Sequence, residues 1–427
     1  FKSLFRIILK YHKKGIVESI VLHYFCIEIN KLYKKLNLEK MNKLNFKLLL
    51  SFALVATVIS CKKKGCTDPL ALNYDSSADK NEGCEYESGI TYNVPSTYVF
   101  TDAAGNNTVS YGGQTQRMNM LSEIVSYLKT ANNSTAILDG QKLKDMYSNS
   151  GTPGWTGTYD ASKQLKSKTA MNSPSIQALF EGWMDAAAAA TPSSNDQYLQ
   201  DSNGLEWTQM IEKGLMSACF VSQLSQNYLE NIADDDNTEA VDASGGKHYT
   251  LMEHHWDEAY GYFTEFTAFP DTADIRFWGK YATQAYLENT LGTATDISTA
   301  FRTGRAALSA GNITHALEQK AIVFEEVKDM VAGMAIHYLK DVISKKNAGT
   351  STQAKINHSL SEALAFIMGI QFATTSPDTP SANVVDLNAN IGNFTSLATL
   401  PSNVSLQEMI DDIAAAAGFS ATEVAGL

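Results

Sequence analysis

Apolar side chains recur at three- and four-residue steps in nine stretches between residues 118 and 417: 118–130, 174–189, 205–232, 249–266, 276–290, 297–310, 315–345, 354–372 and 405–417. No other feature limits the fold as strongly. An amphipathic helix must hide its apolar stripe against a neighbour, so nine of them in series predict an all-α domain built as one or two antiparallel helical bundles. Boundary chemistry agrees: Ser173-Pro174 and Asp296-Ile297 read as helix starts and Gly418 as a helix stop. Residues 148–157 and 191–204, rich in Gly and Ser, are expected connectors, and Asp234-Asp235-Asp236-Asn237 reads as a solvated loop. Ahead of the helices, the β-prone runs Thr97-Tyr98-Val99-Phe100-Thr101 and Thr108-Val109-Ser110-Tyr111 flank Ala104-Gly105-Asn106-Asn107 and predict a small β-hairpin.

The N-terminal part reads differently. The chain opens at Phe1 and has no methionine before Met41, so residues 1–40 are expected to be upstream read-through. Residues 41–60 carry the zones of an export signal: Lys43 and Lys47, an apolar run over 48–59, then Ser60-Cys61. A cysteine placed there predicts a lipoprotein whose Cys61 is acylated, and two or more acyl chains would hold it on a membrane. A cleaved secretory peptide is the alternative. Residues 61–91 then form anchor, the basic linker Lys62-Lys63-Lys64, and a short segment holding Cys66 and Cys84; residues 92–427 form the helical domain. Of 34 basic and 46 acidic residues, the first 60 hold 11 and 3, leaving 23 against 43 and a net charge of −20 for the remainder. So acidic a surface repels nucleic acid, which is bound through Lys and Arg contacts to phosphate.

The densest group of metal-ligand types is Met252-Glu253-His254-His255-Trp256-Asp257-Glu258-Ala259-Tyr260-Gly261-Tyr262-Phe263. Met252, His255, Ala259, Tyr262 and Phe266 make one helical stripe with Glu258 one turn beyond His255, so an imidazole and a carboxylate are expected to project together toward the core. An uncompensated charge there costs several kcal/mol unless it is paired, hydrogen-bonded or bound to a metal. Two further pairs repeat the theme: His315 with Glu318, and His358 with Glu362. Helix-borne His and Glu pairs with oxygen and nitrogen donors suit iron, zinc or manganese, and His254, His255, Glu258, His315, Glu318, His358 and Glu362 are the candidate ligands. The competing reading makes each pair an ordinary hydrogen bond that holds a half-buried imidazole. Asp75, Asp79, Asn81 and Glu82 match a calcium loop in part, against a plain solvated turn.

Several chemistries are excluded. There is no His-Glu-x-x-His, no Gly-x-Ser-x-Gly and no phosphate-cradling Gly-Lys-Ser/Thr loop. Cys219 lies in an apolar run without a neighbouring base and is expected to be a small buried residue, and Trp207, Trp256 and Trp278 are expected in the core. Arg276, Arg302 and Arg305 are open between internal ion pairs and an anionic ligand.

Gly113-Gln114-Thr115-Gln116-Arg117-Met118, His255-Trp256-Asp257-Glu258-Ala259-Tyr260-Gly261-Tyr262-Phe263, Ala300-Phe301-Arg302-Thr303-Gly304-Arg305-Ala306-Ala307 and His358-Ser359-Leu360-Ser361-Glu362 together resemble a Bacteroidetes envelope lipoprotein family of unknown function, distantly imelysin-like. Imelysins carry Gly-x-His-x-x-Glu; here Glu253 stands in the glycine position ahead of His255 and Glu258. The resemblance implies a helical-bundle envelope protein linked to iron uptake. The segment around Cys66 and Cys84 is similar to a cysteine-bounded module of secreted Bacteroidetes proteins, which implies a Cys66–Cys84 disulfide. The expected function is therefore an outer-membrane-anchored lipoprotein that binds a metal, foremost iron, or a metal-bearing ligand, and passes it to uptake components. The alternatives are a non-catalytic interaction module of a surface complex and an imelysin-like metallopeptidase.

Overall fold

A computed structural model describes residues 92–132, 136–190, 197–373 and 400–427, with 63–65, 75, 77, 78, 80 and 81. They belong to one compact unit, Lys62–Leu427. Cys61, Cys66 and Cys84, with Asp79 and Glu82, lie outside the described residues, as do residues 1–60. Around the first cysteine, Lys64–Gly65 pairs in parallel with Lys80–Asn81, and Lys63 sits 2.7 Å from Asp75.

The domain is a helical bundle. Its helices are α1 (Gly112–Lys129), α2 (Gly140–Ser148), α3 (Pro174–Ala189), α4 (Trp207–Leu215), α5 (Leu251–Phe263), α6 (Phe277–Ala282), α7 (Ala285–Leu291), α8 (Thr293–Ser309), α9 (Ile313–Ala348), α10 (Gln353–Gly369), α11 (Asn403–Ala417) and α12 (Ala421–Gly426). At about 1.5 Å per residue α9 is a spine about 54 Å long. Short turns set its neighbours. Gly311 takes a positive φ of 75° between α8 and α9, and the Asn312 side chain accepts from His315 N to start α9. Gly349 closes α9 in the left-handed conformation, and Thr352 caps α10 three residues later. Turns that tight force α8, α9 and α10 to lie antiparallel in succession.

Beyond α4 the helix continues in wide π-helical turns over Met216–Val221 and Gln223–Leu229, all but one residue of which are buried. A π turn shifts the carbonyl register, and the Trp278 indole takes up the Met216 carbonyl at 2.8 Å. Trp256 does the same for the Phe301 carbonyl at 3.0 Å. Both indoles are core residues, as is Trp207, and Cys219 is a buried free thiol.

The expected strand pair does not form. Between residues 97 and 111 the chain reverses through a tight turn with one antiparallel bridge, Thr101 to Asn107. The reason is tertiary competition. Tyr98 stacks on Tyr260 at 3.6 Å, its N–H donates to the Thr267 carbonyl at 2.7 Å and its hydroxyl donates to Asp257 at 2.9 Å. Those bonds hold the segment flat on α5 in place of a ladder partner.

The anchor of this contact is Arg305 on α8, whose side chain is fully buried. Its Nε donates to Asp257 at 2.9 Å, its Nη1 to Glu253 and Ser309, both at 2.5 Å, and its Nη2 to the Thr108 carbonyl and hydroxyl at 2.9 and 3.1 Å. All five guanidinium donors are used. Glu253 doubles as the partner of the Thr250 cap that starts α5. Two glycines allow the helices to close on this network. A Cβ on Gly304 would meet the Trp256 ring at 2.2 Å, and one on Gly261 would meet Tyr111 Cβ at 2.5 Å. Arg305→Met would strand two buried carboxylates, and we expect a loss of about 3–5 kcal/mol in chemical denaturation, whereas Arg305→Lys should recover only part of it.

Candidate functional site

The side chains that α5 turns toward the deep core are not those expected. Glu253 and Asp257 face Arg305, while His254, His255 and Glu258 lie on the half-exposed flank beside α1 and the π-helical stretch. Placing the acidic pair on the core side is affordable because Arg305 neutralises it; the histidines have no such partner inside. Burial pushes Asp257 up to about 6 against the pull of Arg305.

His255 and Glu258 have separate partners. His255 Nδ1 lies 2.7 Å from Asp235 in the loop read as solvated, and the ring leans on Tyr228 at 5.4 Å. Glu258 accepts from Gln114 Nε2 at 2.8 Å and from the Tyr228 hydroxyl, and stands 3.9 Å from His254 Nε2. His254 stacks on Tyr249 at 4.6 Å, and burial holds its imidazole below the usual range.

Around Glu258 the structure gathers a polar cluster that the sequence reading did not single out. Gln114 and Arg117 from α1 are 1% and 5% exposed. Tyr228 comes from the π-helical stretch and Lys168 from the loop before α3, with the Lys168 ammonium 5.9 Å from the Tyr228 ring centre. Two atoms in this cluster have no hydrogen-bond partner: the Gln114 Oε1 and the hydroxyl of Tyr262, whose side chain is fully buried. Burial raises the Tyr262 phenol far above its ordinary value, and the charges of Arg117 and Glu258 both reach it. A buried polar atom left unmade costs about 1–3 kcal/mol; Trp207 Nε1, Thr208 Oγ1 and Gln209 Oε1 on α4 are further instances among the described residues. Gly113-Gln114 and Arg117 are legible as a motif, but only the fold brings the charge of Arg117 within reach of Tyr262.

The other two pairs lie elsewhere. His315, at the first turn of α9, hydrogen-bonds the Tyr92 hydroxyl through Nδ1, with its Nε2 3.8 Å from Glu318. His358 has Glu206 at 2.5 Å on Nδ1, Glu362 at 3.4 Å on Nε2, and Tyr198 stacked at 4.4 Å. Because α10 folds back along α9, His358 packs near the end of the spine opposite His315, about 40 Å away at helical rise. The three pairs do not converge, and among the described residues no group of three or more His, Cys, Asp and Glu side chains is arranged to hold a metal ion. Of the arginines left open by sequence, Arg276 pairs with Glu265 at 2.7 Å, Arg305 is internal, and Arg302 donates to the Ser96 carbonyl at 3.2 Å.

A family profile described as "Domain of unknown function (DUF4856)" matches residues 95–178 and 181–420. The chain belongs to that family. The DUF4856 match contains α1, the π-helical stretch, α5 and Arg305, so the polar cluster is part of the family domain, and the segment around Cys66 and Cys84 lies ahead of it. Comparison with curated proteins and with solved structures returns no match. Among the described residues no helix is long and apolar enough to cross a membrane.

His358 supplies a pH test of the opposite end of the domain. Burial alone would lower its imidazole, but Glu206 and Glu362 on its two nitrogens raise it above the usual range, with Lys345 opposing and Lys213 balancing Glu362. A folded value above the unfolded one means that the stabilisation is complete below about pH 6.5 and is lost as pH climbs through the folded value. Thermal melts should therefore show the advantage of the parent over His358→Gln shrinking from about pH 6.5 upward; parallel profiles would refute the pairing.

Proposed function

We propose that this DUF4856 protein is a non-catalytic binding protein of the cell envelope, whose binding centre is the polar cluster between α1, the π-helical stretch and α5. The observation that carries this reading is the buried, unpartnered Tyr262 hydroxyl within electrostatic reach of Arg117 and Glu258. π-Helical turns in a core helix often accompany functional sites, and here they bring Tyr228 against Glu258. The ligand is a small polar molecule, because the groups that would meet it are hydrogen-bonding and charged. The nearby thiol, Cys219, is held protonated, since burial pushes it up to about 12.

Tyr262→Phe tests this directly. If the hydroxyl serves a ligand, native mass spectrometry of the full chain should find a bound small molecule in the parent and none in the variant. The variant itself should melt higher, gaining up to about 1 kcal/mol from the loss of an unmade hydrogen bond. Identical spectra for parent and variant would remove the cluster as the binding centre.

A metal-carrier reading, with iron foremost and zinc or manganese behind it, stands second on one observation. Asp235 holds His255 Nδ1, which leaves Nε2 as the nitrogen that a metal would take, the usual second-sphere arrangement for a metal-binding imidazole. Elemental analysis of the same preparations decides it: near-stoichiometric metal that disappears in His255→Ala would promote this reading, with hand-over to outer-membrane uptake components as its consequence.

We also propose that the protein is lipid-anchored through Cys61, the reading supported by the apolar run ending in Ser60-Cys61. Cys61→Ala should move the protein from the membrane fraction to the soluble fraction on cell fractionation; unchanged partition would refute the anchor.

A further inference from the structure

The sequence holds 13 methionines, and all but Met41 are among the described residues. Eleven of these are core residues, none more than 6% exposed, whereas Met171 is 41% exposed. A core thioether is shielded from a dissolved oxidant, so Met171 is the described methionine that solvent chemistry reaches.

The backbone brings it there against its own preference. Ahead of α3, within Lys166–Asn172, Ala170, Met171 and Asn172 take positive φ of 46°, 56° and 65° in succession. Asn tolerates that conformation, but the Cβ of Ala and of Met is crowded in it. Ties on both sides hold the turn. The Tyr147 hydroxyl donates to Thr169 Oγ1 at 2.7 Å, and Gln177 Nε2 donates to the Lys166 carbonyl at 2.9 Å and to Asn172 Oδ1 at 2.8 Å. Strain of this kind persists only where the surroundings over-determine it, and it clusters where a segment has a role besides stability.

The group that meets the sulfur is fixed in advance. Gln223, in the second π-helical turn, is 2% exposed. Its Oε1 accepts from Asn227 Nδ2 at 3.0 Å, and its Nε2 donates to the Lys168 carbonyl at 3.0 Å and to Met171 Sδ at 3.7 Å. A thioether is a weak acceptor for so well-held a donor. An S–O bond of about 1.5 Å and an N–H···O contact of about 2.9 Å, meeting at about 110°, span about 3.7 Å. That is the separation already present between Nε2 and Sδ, so an oxygen on the sulfur would fit without moving either group.

We propose that Met171 is a site of reversible oxidation to the sulfoxide, with Gln223 Nε2 as the built-in donor for the sulfoxide oxygen. The oxidant is a peroxide. A lone pair on Sδ attacks one peroxide oxygen, the O–O bond breaks, and with hydrogen peroxide the second oxygen leaves as water. Sulfur loses two electrons and the peroxide gains them. A dithiol-dependent sulfoxide reductase reverses the step: the oxygen leaves as water and the dithiol becomes a disulfide. Sulfoxide formation in a core disrupts packing; here it replaces a weak N–H···S contact with a stronger N–H···O bond and tightens the turn before α3 onto the π-helical stretch.

The folded full chain treated with graded hydrogen peroxide tests both parts. Peptide mass mapping should find Met171 oxidised at least tenfold faster than any other described methionine; oxidation led by another of them would overturn the site. The oxidised parent should melt higher than the untreated protein, Met171→Leu should not respond, and in Gln223→Leu the same oxidation should bring no rise. An equal or lower melting temperature for the oxidised parent, or an equal rise in Gln223→Leu, would overturn the role of Gln223. Should Gln223→Leu not fold, nitrogen-15 labelling of glutamine keeps the test in the parent. One side-chain amide proton should move downfield on oxidation of the parent and stay fixed in peroxide-treated Met171→Leu; no such shift would again overturn the role of Gln223.

Discussion

A guanidinium with all five donors satisfied in the interior is what the rest of this fold is hung on. Arg305 draws Glu253 and Asp257 of α5, Ser309 of its own helix and the backbone at Thr108 to one point. The pull decides the rotation of α5. Once its acidic pair is committed to the core, the two histidines and Glu258 are left on the flank, and Trp256 must sink against Gly304. A buried ion pair adds little net stability over apolar packing, but it tolerates only one geometry. Its effect here is to specify which face of α5 becomes the inside.

The π-helical continuation of α4 is the second organising device. Wider turns misalign the helix carbonyls, and the Trp278 indole takes one of them. They also bring a run of small and amide side chains, Ser217, Ser222, Gln223, Ser225 and Gln226, into a buried position, where several bond one another or neighbouring carbonyls. The core next to α5 is therefore polar as well as tightly packed, and a polar cluster can exist there without unfolding its surroundings.

Helical periodicity made most of the architecture readable, because spacing along one chain suffices to predict an amphipathic helix. Residues 174–189 match α3 at both ends, and Gly418 ends α11 in the left-handed conformation as its type suggested. Short helices escaped: α2 and α12 have too few turns to show a stripe, and residues 276–290 split at Thr283 and Gln284 into α6 and α7. Asp296 was the wrong start for α8, since Glu288 accepts from Ala294 N and starts it earlier. The site was legible only in pieces. His-x-x-Glu spacing places two side chains on neighbouring turns, but which face they adorn is set by Arg305, whose partners lie up to 197 residues away. Tyr262 read as a stripe residue; that its hydroxyl has no partner is a tertiary fact.

That span also orders events in time. The segment around Tyr98 and Phe100 is early in the chain, but the groups that bury it, Asp257 and Arg305, come some 160 and 200 residues later. A chain emerging from its N-terminus must carry these two aromatic rings exposed until α8 has been made and docked. The N-terminal lap of this domain thus cannot close before α8 is in place, although it is synthesised well ahead of that helix.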